Sequence, residues 1–208
     1  MFSPGGMGGS VSTTARTTGL VLGVLARRNR LRRRDGWSRE RLLDHQAREL
    51  ARLRRYVYAH SPFYRRFHAG RGDGPLSTLP VLTKSLLMEN FDELLTAQDV
   101  RLDAVEEYLA GLRGDELFRD RYYVCATAGT TGRRGVFVWN FSEWVTVLTS
   151  YNRVYEWGGA TAGVTHRTRT AVVSSTSPTH QSARVGASIH SRGVPTLRID
   201  SGMSRPPS

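Results

Sequence analysis

The sequence between residues 122 and 139 constrains the fold more than any other part of the chain. Apolar, β-prone residues occupy positions 122–125 and 136–139, and the loop between them contains three glycines, three threonines and two arginines. Glycine lets a backbone turn tightly and bring its N–H groups close to a ligand, while threonine and arginine side chains donate hydrogen bonds to phosphate oxygens. The pattern predicts two strands joined by a loop that either cradles an oligophosphate or only closes a long hairpin.

A second pattern, near the end of the chain, predicts a pair of parallel strands. Strand-like runs occupy residues 170–174 and 195–199, and a helix is expected between them, from about residue 179 or 181 to residue 190. A strand–helix–strand unit favours parallel pairing, and ligands of such sheets gather at the carboxyl ends of the strands. The first strand is expected to be buried. His180 lies in the loop after it, where it either faces a ligand or begins the helix.

The remainder of the chain is predicted to be mainly helical. Ser38 and Thr83 are typical N-cap residues, and the apolar periodicity behind them predicts helices up to His60 and up to Leu94. Another helix is expected to begin at Ser142. Together these patterns predict the α/β class, with a helical N-terminal region followed by the strand–loop–strand and strand–helix–strand units.

Basic residues are concentrated at the N-terminus. The net charge is +12, and the first 34 residues contain seven arginines and no acidic residue. Residues 1–36 are predicted to be a disordered basic extension, within which residues 20–34 could form one amphipathic helix with Leu20, Val24 and Leu31 on a face. The apolar run is too short to span a bilayer. No base-reading motif accompanies the charge, so nucleic acid and a membrane surface are only alternative partners.

The single cysteine and the scattered histidines argue against disulfide and metal chemistry. Cys125 is the only cysteine in the chain, so no internal disulfide can form, and a reducing, cytoplasmic location is expected. Cys125 lies in an apolar run, which favours a buried structural thiol over a nucleophile. His45, His60 and His68 lack the spacing of metal ligands, so no metal-ligating residues are assigned.

Three segments, in this order, resemble the phenylacetate–coenzyme A ligase family of the adenylate-forming superfamily. Residues 56–67 (YVYAHSPFYRRF) and 79–91 (LPVLTKSLLMENF) resemble its N-terminal signatures, and residues 126–132 (ATAGTTG) are similar to its nucleotide-binding loop. The resemblance covers about residues 38–200. It identifies the chain as the N-terminal fragment of such an enzyme, with a partial domain at 37–200 and a disordered tail at 201–208.

The resemblance implies a function and a set of binding residues. Family members use ATP and Mg²⁺ to activate a small carboxylic acid as an acyl adenylate, and then pass the acyl group to coenzyme A. The residues that would hold the phosphates are Thr127, Gly129, Thr130, Thr131, Gly132 and Arg134. Ala128 stands where the family often has serine, and Arg133 with Arg134 replaces the frequent Pro-Lys pair.

The catalytic residues are unknown, because the family places them in a later half. The chain alone is therefore expected to have low or no activity, and a separately encoded C-terminal half is a possible partner. The alternative is a basic nucleic-acid-binding protein or a non-catalytic partner protein.

Overall fold

In the part of the chain that the structure describes, the elements are helices and two small two-stranded sheets. The computed structural model describes residues 8–71, 74–127, 129, 134–160, 169–175, 177–188 and 196–200. Its helices are α1 (Gly8–Asp35), α2 (Arg39–His60), α3 (Pro62–Phe67), α4 (Lys84–Glu89), α5 (Phe91–Leu94), α6 (Leu102–Gly111), α7 (Phe141–Trp157) and α8 (Gln181–Ser188), with a 3-10 turn at Leu76–Thr78. The strands are β1 (Tyr123–Ala126), β2 (Val136–Trp139), β3 (Thr170–Ser174) and β4 (Thr196–Asp200). The predicted α/β class is confirmed at this level.

Both predicted strand units are present. Strands β1 and β2 form one sheet, on either side of the Gly/Thr loop. Strands β3 and β4 form the other sheet and pair in parallel, with Thr170 opposite Thr196 and Ser174 opposite Asp200. Helix α8 lies between β3 and β4 in the chain, so the predicted strand–helix–strand unit is confirmed.

The chain divides into two compact units that are discontinuous in sequence. The first contains Met1–Arg33, Leu112–Ala126 and Phe137–Ser208. The second contains Arg34–Gly111 and Thr127–Val136.

Helix α1 corrects the prediction of a disordered extension over residues 8–35, while residues 1–7 lie outside the described residues. It is continuous over Gly8–Asp35, and its Leu20 side chain is only 2% exposed. Leu20 belongs to the core of the first unit, and Val24, one turn later on the same face, packs against that core. The alternative interpretation, an amphipathic helix through Leu20 and Val24, is the one that the structure follows, and the helix begins earlier than residue 20.

The core of the first unit forms where β1, α1 and α7 meet. Helix α7 contributes Trp144, Val145 and Leu148, and the ring of Trp144 stacks on Tyr123 of β1 with 4.9 Å between the ring centroids. Glycine at position 23 lets α1 approach closely, because a Cβ atom there would lie 3.0 Å from Val145 Cγ1. Small residues at a helix contact permit this close packing.

Helix α7 begins one residue before the predicted start, with a different cap. Phe141 is its first residue, and Asn140 is the N-cap. Asn140 Oδ1 accepts a hydrogen bond from the Glu143 backbone N–H (N···O 3.0 Å), and Glu143 Oε2 accepts one from the Asn140 N–H (2.8 Å). This reciprocal pair is a capping box. Ser142, the predicted first residue, therefore lies inside the first turn.

The second unit is built from the predicted helices and their caps. Ser38 Oγ accepts from Arg41 N, and Thr83 Oγ1 accepts from Leu86 N, so both predicted N-caps are confirmed. The helix expected from Thr83 to Leu94 is instead two short helices, α4 and α5. Asn90 separates them, because its backbone (φ −115°, ψ 22°) departs from helical geometry; its N–H and its side-chain amide both donate to Leu86 O (3.2 and 2.9 Å), which caps the end of α4.

The first strand of the parallel pair was predicted to be buried, but one of its faces is exposed. Val173 is 66% exposed, and Leu197 on the neighbouring strand is 63% exposed. Side chains alternate between the faces of a strand. Val172 and Ser174, on the opposite face from Val173, line a small pocket with residues of α8, so the helix covers only one side of the sheet.

Among the described residues, no helix combines the length and the apolar character needed to cross a membrane.

Candidate functional site

The two ends of the Gly/Thr loop are tied to each other. The Thr127 backbone N–H donates to Gly135 O (N···O 2.9 Å), and the Gly135 N–H donates to Thr127 Oγ1 (2.8 Å). The Thr127 side chain is exposed, and its hydroxyl accepts the bond from Gly135, so the hydroxyl hydrogen can still be donated to a ligand. The loop therefore begins and ends at a fixed pair of residues.

Gly129 occupies a position that only glycine accepts without strain. Its φ angle is +74°, in the left-handed region, and a Cβ atom there would lie 3.3 Å from Arg134 Cβ and 3.4 Å from Arg134 N. The backbone at Gly129 and the residue Arg134 are thus in close contact across the loop. Arg134 is half-buried. The structure brings together three of the predicted phosphate-binding residues, Thr127, Gly129 and Arg134.

The other three predicted binding residues lie outside the described residues. They are Thr130, Thr131 and Gly132. Their assignment to a phosphate stays a prediction.

Cys125, two residues before the loop, is a structural thiol. It is buried in the core of the first unit, and burial raises the pKa of its thiol to about 12, an effect that the nearby Arg184 charge only partly opposes. A thiol with this pKa stays protonated at neutral pH, which disfavours the thiolate that a nucleophile or a metal ligand requires. The prediction of a buried structural cysteine is confirmed.

His180 lies where α8 begins. Its backbone N–H donates to Ser177 O (3.1 Å), and its carbonyl accepts the N–H of Arg184 (3.0 Å), the i to i+4 bond of a first helical turn. Of the two interpretations of this histidine, the helix-start position is the one that the backbone follows. The loop before it is rich in hydroxyl groups, and Ser177 Oγ and Thr179 Oγ1 lie 3.0 Å apart.

Half of the arginines between residues 27 and 34 contact other parts of the chain. Arg27 donates to Ser142 O and Oγ, and Arg28 forms an ion pair with Glu156. Arg34 lies over the ring of Trp37. The exposed members of the run are Arg30, Arg32 and Arg33. The run is thus partly structural, and nucleic-acid binding stays a prediction.

Sequence reasoning missed a buried arginine. Arg184 is 2% exposed, and its guanidinium donates to Gly114 O (3.3 Å) and to Glu116 O (2.9 Å). In the sequence, Arg184 is one of many arginines on a short helix, and no local pattern distinguishes it from a solvated one. Its burial depends on a segment about 70 residues earlier in the chain.

The described residues contain no cluster of three or more histidine, cysteine, aspartate or glutamate side chains arranged to hold a metal ion.

No family model, no curated protein and no solved structure matches this chain.

Proposed function

We propose that the loop from Thr127 to Gly135 binds the phosphates of ATP, and that the chain contributes to the ATP-dependent activation of a small carboxylic acid. The observation that carries the proposal is that the two ends of the loop lie close together and are hydrogen-bonded. Its ends are tied by the two Thr127–Gly135 hydrogen bonds, and Gly129 in the left-handed conformation lies against Arg134. Together with the resemblance to adenylate-forming enzymes, this geometry favours an oligophosphate cradle over a plain hairpin loop.

The described residues would bind phosphate in complementary ways. The Thr127 hydroxyl is exposed and can donate to a phosphate oxygen. Arg134 carries a permanent positive charge and several N–H donors, which match an anionic oxygen. Gly129 lacks a side chain, so a ligand can approach its backbone closely. ATP, when bound, would supply the electrophilic phosphorus that a carboxylate attacks with loss of pyrophosphate.

The described residues match some of the expected cofactors better than others. The phosphate groups of ATP match Thr127, Gly129 and Arg134. For Mg²⁺, no ligand set comes together in the described part of the chain, so we assign it no residues. Coenzyme A as the acyl acceptor, the ligase-type N-terminal domain and a cytoplasmic location belong to the proposal through the family resemblance and the cysteine content alone.

Calorimetric titration of the full chain with ATP and Mg²⁺ tests the proposal. We expect Arg134→Gln to weaken ATP binding about tenfold, because it removes one charge-assisted contact of about 1.4 kcal/mol. Arg52→Gln is the matched control, since the Arg52 side chain is 77% exposed on α2 and forms an ion pair with Glu49 at 3.9 Å. The control should bind ATP as the wild type does.

Absence of heat on titration, or equal affinity in the Arg134 and Arg52 variants, would refute phosphate binding at this loop. Carboxylate activation is tested separately, by pyrophosphate release in the presence of a panel of small carboxylic acids. Binding without pyrophosphate release would support the loop assignment and contradict activation by this chain alone.

A further inference from the structure

Three arginines near the end of α1 extend into solvent. They are Arg30, Arg32 and Arg33, and the structure places all three at exposed positions. The two preceding arginines of the run, at positions 27 and 28, contact α7 instead. Between residues 27 and 33 the chain contains five arginines and no acidic residue. This part of α1 therefore presents a positive surface, which attracts anionic partners.

Large apolar side chains are exposed in the last turn of α7. Val154 is 62% exposed, Tyr155 is 52% exposed and Trp157 is 64% exposed. The guanidinium of Arg153 lies over the ring of Trp157, 4.6 Å from its centroid. Apolar residues scattered singly over a surface need no explanation, whereas a group of them within one helical turn is typical of an interaction surface.

An ion pair joins the basic end of α1 to the aromatic end of α7. Arg28 Nε pairs with Glu156 Oε1, and both side chains are largely buried. Arg32 lies one turn after Arg28, about 6 Å further along α1, and Trp157 is the next residue after Glu156. Because Arg28 balances the only acidic residue of segment 150–157, the charge at this end of the first unit stays positive.

The solvent-facing side of α1 also contains exposed leucines. Leu22 is 61% exposed and Leu25 is 44% exposed, whereas Leu20 belongs to the core. Arg32 follows Leu25 by seven residues, so the two share one face of the helix. A helix face that combines exposed leucines with arginines is typical of helices that lie in the interface of a lipid bilayer.

These side chains favour a lipid surface over a nucleic acid as the anionic partner. Arginine pairs with the phosphates of either partner. Leucine and valine side chains do not stack on bases, but they can enter the boundary between lipid headgroups and acyl chains. Tryptophan and tyrosine are enriched at the same boundary, where the ring is half in apolar surroundings and its polar group faces water.

We propose that this end of the first unit binds the surface of a bilayer that contains anionic phospholipids. Arg30, Arg32 and Arg33 contact the phosphate groups, while Leu25 and Trp157 enter the headgroup region. The attachment is peripheral and reversible. It shares no residue with the Gly/Thr loop, so it does not depend on the function proposed for that loop.

Co-sedimentation of the full chain with vesicles tests the proposal. Vesicles of phosphatidylserine mixed with phosphatidylcholine are compared with vesicles of phosphatidylcholine alone. We expect binding to the mixed vesicles, weakening as salt is added, and little binding to the uncharged ones. The triple substitution Arg30→Gln, Arg32→Gln and Arg33→Gln should weaken binding about 100-fold, since each arginine near the surface contributes about fivefold.

The matched control makes the same change of charge on α2. Arg48, Arg52 and Arg55 are also exposed, so their triple substitution by glutamine should leave vesicle binding as in the wild type. An equal loss in both triple variants would show that only the net charge matters, and would overturn the assignment to α1. Trp157→Ala leaves the charge unchanged and should weaken binding at least fivefold, by about 1 kcal/mol or more. Unchanged binding in this variant would contradict the part assigned to the aromatic end of α7.

A nucleic acid is tested as the competing partner. Fluorescence anisotropy with a labelled single-stranded RNA oligonucleotide is measured at the salt concentration of the vesicle assay. We expect weaker binding to RNA than to the mixed vesicles. Tighter binding to RNA, lost in the α1 triple variant, would assign this surface to a nucleic acid and overturn the proposal, as would absence of binding to the mixed vesicles.

Discussion

His68 is held by a directed chain of polar contacts in the second unit. Arg54 Nε donates to Tyr58 Oη (3.3 Å), which leaves the Tyr58 hydrogen to be donated to His68 Nδ1 at 3.2 Å. Burial lowers the pKa of His68, and the charges of Arg54 and Arg71 lower it further. The neutral imidazole is therefore the form that this surrounding favours.

The lowered pKa predicts that acid destabilises the fold. The unfolded chain takes up a proton at His68 near the ordinary pKa of 6.5, whereas the folded chain does so only at lower pH. Stability should fall as the pH drops below about 6.5 and level off below the folded pKa. His68→Gln should flatten this dependence, as measured by the urea midpoint between pH 7.5 and pH 5.

The same substitution at His60 serves as the control for His68. His60 lies exposed at the end of α2, where its Nδ1 contacts Tyr56 O at 2.8 Å. The His60 variant should keep the acid sensitivity of the wild type. A His68 variant that is as acid-sensitive as the wild type would show that this histidine does not cause it.

At the scale of single elements, the cap of α7 is a clear determinant of stability. Asn140→Ala removes the side chain that accepts from the Glu143 N–H, and with it one half of the capping box. We expect a loss of about 1 kcal/mol in the free energy of unfolding, measured by urea denaturation. Asn29→Ala, at an exposed position inside α1, is the control and should be neutral or slightly stabilising. A larger loss at Asn29 than at Asn140 would contradict the assignment of the cap.

Elements with local signals were predictable, and elements set by distant contacts were not. The caps at Ser38 and Thr83 were found because a cap side chain and the N–H that it accepts lie within three residues. The strands around the Gly/Thr loop were found for a similar reason, since their β-prone runs are continuous. By contrast, the break at Asn90 competes with a run of good helix formers, so the sequence pattern predicted one helix.

The same difference between local and distant contacts separates the parts of the candidate site that were predicted from those that were not. Gly129 was identified because glycine-rich loops often contain left-handed backbone angles. Its φ of +74° lies in that region. The buried state of Arg184 and the ion pair between Arg28 and Glu156 require contacts between segments far apart in sequence. Composition and hydrophobic periodicity describe only local sequence, so they could not predict either feature.

For the molecule as a whole, α1 is an integral part of the first unit. Leu20→Ala should lower the free energy of unfolding by about 2–5 kcal/mol, because Leu20 is 2% exposed in a packed core. Leu22→Ala is the matched control. Leu22 is 61% exposed on the same helix, so its truncation should cost less than about 0.5 kcal/mol. Similar small losses at both positions, in urea denaturation, would show that α1 does not belong to the core.

The tie between Thr127 and Gly135 has a consequence for protein engineering. Two hydrogen bonds close the loop at its base, and we expect this pair to hold the ends of the strands on either side whatever the residues between. The segment 128–134 can therefore be treated as an exchangeable cassette, into which other anion-binding or peptide-binding sequences are grafted. Lengthening a closed loop costs little, about 0.6 kcal/mol for each doubling. The base of the hairpin, rather than the loop itself, would then set the orientation of whatever is inserted.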